Sequence, residues 1–256
     1  MSVIQGRKNI QTNQISFGIK MSLDCKIPLA KTKLLFYNYY HMSSISQTES
    51  QFILENKPYL TKAEMATLLD KEGRNLDKKI LQLLKKGSLL SLKKGFYSSK
   101  EYIEKQPPQA REYLANILYY PSYLSLEYAL AKEGLIPEAV YVYTSIALKP
   151  TQTFTNSLGT FIYRSIKPDL FSGYTSTRFT ENYQIKIASR AKALFDLLYL
   201  KVLPVTSSGK RQVIADLRIN WSLVNIDDLR EFQGYVEASQ SPKMKQVSRI
   251  VSKQIL

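Results

Sequence analysis

Cysteine and histidine are almost absent from the 256-residue sequence, which contains one of each, Cys25 and His41. A single cysteine cannot form an internal disulfide, and such sparse use is typical of proteins in a reducing cytoplasm. One Cys and one His are also too few for a structural zinc site or for a Cys/His catalytic pair with a supporting member. We therefore expect a cytoplasmic protein that carries no metal and no other cofactor.

Long apolar runs are lacking as well. No segment approaches the roughly 18 to 20 apolar residues that a membrane span requires. The first residues also lack the apolar stretch of about 7 to 15 residues that marks a signal peptide. The sequence predicts a protein with no membrane partner.

Acidic residues are scarce, with 21 Asp and Glu against 36 Lys and Arg, for a formal net charge of +15. A basic cytoplasmic protein usually binds a polyanion, and nucleic acid is the commonest one. A proteome that is generally rich in Lys would give the same balance without any polyanionic partner. The distribution of the charges must separate these alternatives.

Catalytic patterns are incomplete. The SSGKR stretch at 207–211 lacks the first glycine of a phosphate-binding loop, so a plain loop is expected there. Pro168-Asp169 has no later acidic-x-Lys sequence that would complete a nuclease metal site. Asp227-Asp228, after Asn225, suits the first turn of a helix. We therefore expect a protein that is not an enzyme. A nucleic-acid nuclease is the least favoured of the three hypotheses that the sequence allows, and the other two are given below.

Three regions follow one another along the chain. Residues 1–44 show no helical or strand period and are either a flexible, mildly basic arm or an over-extended gene start. Residues 45–105 have the pattern of a winged helix-turn-helix domain. Residues 106–256, which begin with Gln106-Pro107-Pro108 as a linker, mix helical and strand patterns. The expected fold class is α+β.

The winged-helix pattern consists of three helices and a β-hairpin. Helices are predicted at 47–57, at 58–73 and at 76–86, the second with a capping box of Thr61 and Glu64 and an end at Gly73. Gly87 ends the third helix. Two short strands then flank Lys93-Lys94-Gly95, a tight-turn sequence.

The third helix and the hairpin are strongly basic. Residues 74–94 contain seven Lys or Arg and one acidic residue, Asp77, which gives a net charge of +6. Leu76, Ile80, Leu83 and Leu84 form an apolar stripe, and the opposite side is polar, as a recognition helix in the DNA major groove requires. The predicted DNA-binding residues are Arg74, Asn75, Lys78, Lys79, Gln82, Lys85, Lys93 and Lys94.

In the third region, helices are predicted at 109–119, 123–133, 189–201, 211–218, 226–236 and 243–255. Strands are predicted at 139–147, as a hairpin within 152–166, and near 176–187. The last helix is basic and amphipathic, and we expect its Val247, Ile250 and Val251 side to pack on the second domain.

Several segments of this region resemble the AbiE-type (type IV) antitoxin family. They are S-L-E-x-A-L-x-x-x-G-L-I-P-E at 125–138, V-Y-V-x-T-S at 140–145, T-F…L-G-T-F-x-Y-R…K-P-x-L-F-x-G-Y at 153–174, and A-L-F-D-L-L-Y-L at 193–200. The resemblance covers roughly residues 45–220. It departs from the family pattern where Ser189-Arg190-Ala191-Lys192 replaces the usual P-E-K-A approach.

The resemblance implies an antitoxin of a phage-defence system that acts by abortive infection. The winged helix would bind inverted repeats of double-stranded DNA in its own promoter and repress the operon. The second domain would counter a nucleotidyltransferase-type toxin without a stable complex. The residues that we expect on the antitoxin surface are Tyr141, Tyr143, Arg164, Lys167, Arg190 and Lys192. The alternative is a stand-alone winged-helix transcriptional regulator whose second domain senses a ligand or a partner.

Overall fold

The structure is a computed structural model that describes residues 56–137 and 140–255. The predicted extension 1–44 and residues 47–55 of the first predicted helix lie outside this range. The described chain is mixed α+β with two sheets, so the expected fold class is confirmed. Among the described residues, no helix is long and apolar enough to cross a membrane.

The first part of the described chain contains two helices and a small antiparallel sheet with strand order β1-β3-β2. The elements are β1 Leu60–Thr61, α1 Lys62–Leu69, α2 Gly73–Lys85, β2 Leu89–Lys93 and β3 Phe96–Ser99.

The N-terminus of α1 carries the predicted capping box. The Thr61 hydroxyl accepts from the backbone N–H of Glu64, and the Glu64 carboxylate accepts from the backbone N–H of Thr61. The predicted end at Gly73 was wrong, because α1 ends at Leu69 with Asp70 as its C-cap in the left-handed conformation (φ 48°), and Gly73 begins α2. An Asp tolerates this backbone region better than most residues do, so it can end a helix in place of glycine.

The hairpin β2-β3 was predicted correctly. Gly95, with φ 76°, occupies the tight turn between Lys93 and Phe96, and β3 continues the sheet through β1. Glycine suits this position because a side chain would make the left-handed conformation unfavourable.

The rest of the chain surrounds a six-stranded mixed sheet with strand order β6-β7-β5-β4-β9-β8. The pairs β5-β7 and β4-β9 are parallel, and the other pairs are antiparallel. The strands are β4 Ser122–Leu124, β5 Val142–Ala147, β6 Gln152–Asn156, β7 Gly159–Ser165, β8 Tyr174–Arg178 and β9 Gln184–Ala188.

In the described part of the chain, seven α-helices accompany the sheet. They are α3 Lys100–Lys105, α4 Gln109–Leu118, α5 Leu126–Lys132, α6 Arg190–Leu200, α7 Ser207–Asp216, α8 Ile226–Ser239 and α9 Pro242–Ile255. Two sequence interpretations need correction here. The helix predicted at 123–133 is strand β4 followed by α5, and SSGKR at 207–211 begins helix α7 with Thr206 as its N-cap.

Two apolar clusters lie on the large sheet. One joins α5, α6, α8 and α9, and the last helix contributes its buried Val247 and Val251, as predicted. The other contains Leu92 of β2 together with α3, α4 and residues of β5 and β7. The predicted winged-helix region and second domain therefore share apolar contacts, and Asn156 also donates a side-chain hydrogen bond to the Leu92 carbonyl (2.9 Å).

Candidate nucleic-acid interface and second-domain surface

Helix α2 presents one polar, basic side to solvent. Its inner side is apolar, with Leu76 and Ile80 buried and Leu83 and Leu84 packed against the same small cluster. At about 1.5 Å per residue the helix is roughly 20 Å long. The DNA major groove is about 12 Å wide, which admits the diameter of an α-helix. The predicted residues on the outer side are Arg74, Asn75, Lys78, Gln82 and Lys85, all exposed, and Lys79, half-exposed.

The only acidic residue of α2 is already paired. The Asp77 carboxylate lies 2.6 Å from the Lys62 ammonium of α1, and this contact raises the pKa of Lys62. Within the described chain, none of the basic side chains of α2 forms an ion pair, although Lys79 donates to the Gln82 side chain (3.4 Å). The outer side of the helix is therefore positive and free to contact an anion.

Leu81 is a residue of α2 that the sequence interpretation missed. It is 52% exposed and lies on the helix between Lys78 and Lys85. A leucine in solvent on an otherwise charged surface suits an apolar contact, such as one with a thymine methyl group in the major groove. The exposed position of Leu81 was missed because, in the sequence, this residue is next to the apolar residues of the inner stripe.

The two lysines at the hairpin tip differ. Lys94 is exposed, as predicted. Lys93 points back to the protein: its ammonium donates to the Leu118 carbonyl at the end of α4 (2.5 Å) and lies 4.1 Å from the centre of the Phe96 ring. Burial, and then the nearby charge of Lys149, lower the pKa of Lys93. Only Lys94 is therefore placed to reach a phosphate.

The six residues expected on the antitoxin surface do not form one patch. Tyr141, 86% exposed, and Arg164 line the same groove beside β5 and β7, and Lys167 is exposed after β7. Tyr143 lies on the opposite face of the sheet, where its ring stacks on Phe161 with centroids 5.0 Å apart. Burial is the main reason that the pKa of Tyr143 is raised.

The two basic residues of α6 are both neutralised. Arg190 donates to the Glu133 carboxylate (2.9 Å) and lies 3.9 Å from the Asp228 carboxylate. Lys192 is not on the surface, contrary to expectation: it is 0% exposed, and its ammonium contacts the Asp196 carboxylate (2.6 Å) and the Leu170 carbonyl (2.7 Å). Arg190 and Lys192 therefore add no unpaired positive charge to the surface expected for the antitoxin role.

Asp196 is the centre of a buried polar network that the sequence interpretation missed. Its second carboxylate oxygen accepts from the hydroxyls of Ser125 (2.7 Å) and Tyr123 (3.0 Å). Burial lowers the pKa of Lys192 and raises that of Asp196, since both charged forms lose water. The signal in the sequence was a Lys and an Asp four residues apart in an otherwise apolar helix.

This network joins α6 to the β4-α5 connection and to the turn at Leu170, and all of its side chains are buried. Because Tyr123, Ser125, Lys192 and Asp196 are each 0% exposed, a substrate in solvent cannot reach them. Across 56–137 and 140–255, no group of three or more His, Cys, Asp or Glu side chains is placed to hold a metal ion.

Comparison with known proteins does not assign the chain to a family. No protein-family model matches it, and a search of curated proteins finds no significant match.

Proposed function

We propose that this protein is a DNA-binding repressor of winged helix-turn-helix type. The observation that carries the proposal is the outer side of α2, where basic and amide side chains accessible to solvent lie opposite a packed apolar stripe, and none of these basic side chains pairs with a described carboxylate. A helix with this division can be held by its own domain while its long donors reach phosphates and base edges. The winged-helix assignment belongs to the proposal, because the first predicted helix lies mainly outside the described residues.

The hairpin adds a second support. Its turn carries the exposed Lys94, and the Lys93 contact with Leu118 fixes the turn against α4. A basic hairpin held rigidly beside a recognition helix is suited to contact an adjacent phosphate. Leu81 would add an apolar base contact.

On the basis of the sequence resemblance, we also propose the antitoxin role. In this proposal the protein works in the cytoplasm by binding, without catalysis, and represses its own operon through inverted repeats in the promoter. Its second domain counters a nucleotidyltransferase-type toxin without a lasting complex, within an abortive-infection system. The stand-alone regulator remains the second candidate, supported by a groove in the second domain that has the size of a small-molecule site.

The test is binding of the full chain to its own upstream DNA and to a scrambled duplex, at 50 and 200 mM salt. With about six phosphate contacts, affinity should fall by about three orders of magnitude between these concentrations while a preference for the upstream sequence remains. Lys78→Glu with Lys85→Glu should abolish binding.

The matched control is Lys245→Glu with Lys253→Glu, which makes the same charge change on exposed positions of α9. Equal loss of binding in both double variants would show that α2 contributes only through the overall charge of the protein. That outcome would contradict the proposal. Protection from the toxin is measured separately in the same variants. Loss of protection in a folded Lys78→Glu, Lys85→Glu protein would contradict the division of roles between the two domains.

A further inference from the structure

A groove of about 680 Å³ lies where helices α5 and α6 leave part of the large sheet uncovered. Its floor is apolar, with Leu126 and Leu197 nearly inaccessible to solvent. Val142 of β5 and Ile162 of β7 form the sheet side. Pockets of this size, with mainly apolar linings, are typical of sites for small organic molecules.

The rim of the groove exposes large apolar side chains. Tyr141 is 86% exposed and Val202 is 92% exposed, and both line the groove. Apolar side chains that gather around a concave surface mark a binding site more often than scattered ones do. Tyr141 and Val202 are therefore available to contact the apolar body of a ligand in the groove.

The charged side chains of the groove favour an anion. Arg164 of β7 and Lys201, just after α6, both line it, and Glu127 is the one acidic residue among its described lining residues. Neither Arg164 nor Lys201 has a carboxylate within ion-pair distance in the part of the chain that the structure describes. Counted over its described lining residues, the groove has one excess positive charge, and neither of its two cations has an acidic partner among them.

The floor has an unusual backbone. Leu126 has φ 58°, a left-handed conformation that non-glycine residues rarely adopt. Its neighbours hold it there, since Ser125 donates to Asp196 and the Tyr128 N–H donates to the Thr144 hydroxyl (3.0 Å). Backbone conformations of this kind concentrate at preformed binding sites, where surrounding contacts maintain them.

We propose that this groove binds a small amphipathic organic anion, with its apolar body on Leu126, Val142 and Ile162 and its carboxylate at Arg164 and Lys201. The proposal goes beyond DNA binding and does not depend on it. The rim contains Tyr141 and Arg164, so a bound ligand would cover part of the surface expected to act in the antitoxin role.

The experiment titrates the full chain with sodium octanoate and with octanol, and follows backbone amide signals by NMR. Octanoate should bind saturably and shift the signals of Val142, Ile162 and Leu200, and octanol should bind roughly fivefold more weakly because it lacks the charge. Arg164→Gln with Lys201→Gln should reduce octanoate to the affinity of octanol. Arg249→Gln with Lys253→Gln, on exposed positions of α9, should leave binding unchanged.

Equal affinities for octanoate and octanol, absence of saturable shifts, or an unchanged affinity in the Arg164, Lys201 variant would each overturn the proposal. Sedimentation of the same samples tests whether a second copy of the chain, and not a small anion, occupies the groove. A dimer that Val202→Lys abolishes would show that a second copy of the chain covers the groove, which would also overturn the proposal. Loss of DNA binding in the Lys78, Lys85 variant has no bearing on these outcomes, so the two proposals fail separately.

Discussion

Helices α2 and α6 both carry lysines among leucines, but the surroundings of these lysines are opposite. In α2, Lys78 and Lys85 are exposed. In α6, Lys192 is sealed against Asp196, and all residues from Ala191 to Leu198 are buried. The reason is the number of neighbours: α2 packs through one side on α1 and β2, whereas α6 lies between the sheet and helices α5, α8 and α9.

The function of a lysine in a leucine-rich helix therefore cannot be assigned from its residue type alone. On α2 the ammonium groups are available to an external anion. On α6 an internal carboxylate, two hydroxyls and a carbonyl already satisfy the buried charges. The contrast between the two helices can be tested by removing individual charged groups from each of them.

The largest effect is expected for Asp196→Ala. The substitution leaves the Lys192 ammonium buried without its counter-ion, so the free energy of unfolding should fall by about 3–5 kcal/mol. Urea unfolding followed by circular dichroism measures the change. Asp227→Ala removes a carboxylate from a side chain that is 79% exposed and should change stability by less than about 0.5 kcal/mol.

A double variant sharpens this test. Lys192→Met with Asp196→Leu removes both charges and should recover a large part of the lost stability, because a buried ion pair is often replaceable by apolar side chains. If Asp196→Ala alone were as stable as the wild type, the network would not stabilise the second domain, and the contrast with α2 would disappear.

A smaller effect is expected at the hairpin tip, where neighbouring lysines reproduce the same contrast. Lys93→Ala removes the charged hydrogen bond to Leu118 and the contact with the Phe96 ring, and should lower the free energy of unfolding by about 1–2 kcal/mol. Lys94→Ala should leave stability within about 0.5 kcal/mol but reduce the salt dependence of DNA binding by about one unit in the logarithmic slope. The opposite pattern would show that Lys93 is the phosphate contact.

The smallest effect is expected for Asp77→Asn. The Lys62–Asp77 pair is exposed to solvent, so its loss should change stability very little. DNA affinity should increase roughly threefold, since a repulsive charge is lost from α2 and Lys62 is released. Asp216→Asn, an exposed change on α7, is the control for overall charge. Equal increases in both variants would mean that the position on α2 is unimportant.

Local signals explain the predictions that were confirmed. The Thr61 and Glu64 capping box, Gly87 after α2 and Gly95 in the hairpin act within a few residues, so the sequence around them is sufficient. The wrong predictions concern elements that depend on contacts with distant parts of the chain. Strand β4 has only three residues and exists because β5 and β9 pair with it, and local patterns do not contain those partners.

In the candidate site, too, some residue positions were predictable from the sequence and others were not. The outer side of α2 was predictable, because helical periodicity alone separates Leu76 and Ile80 from Lys78 and Lys85. The positions of Lys93 and Lys192 were not, because the Leu118 carbonyl lies 25 residues from Lys93 and the Ser125 hydroxyl lies 71 residues from Asp196 in the chain.

The sequence by itself determined the basic charge, the mixed helix and strand content, and the polar outer side of α2, since each depends on composition or on contacts between near neighbours. The tertiary structure decided which lysines are free, which are buried, and where an apolar groove opens beside the large sheet. Burial and ion pairing depend on groups that are distant in the chain and meet only when the sheet and its helices pack together.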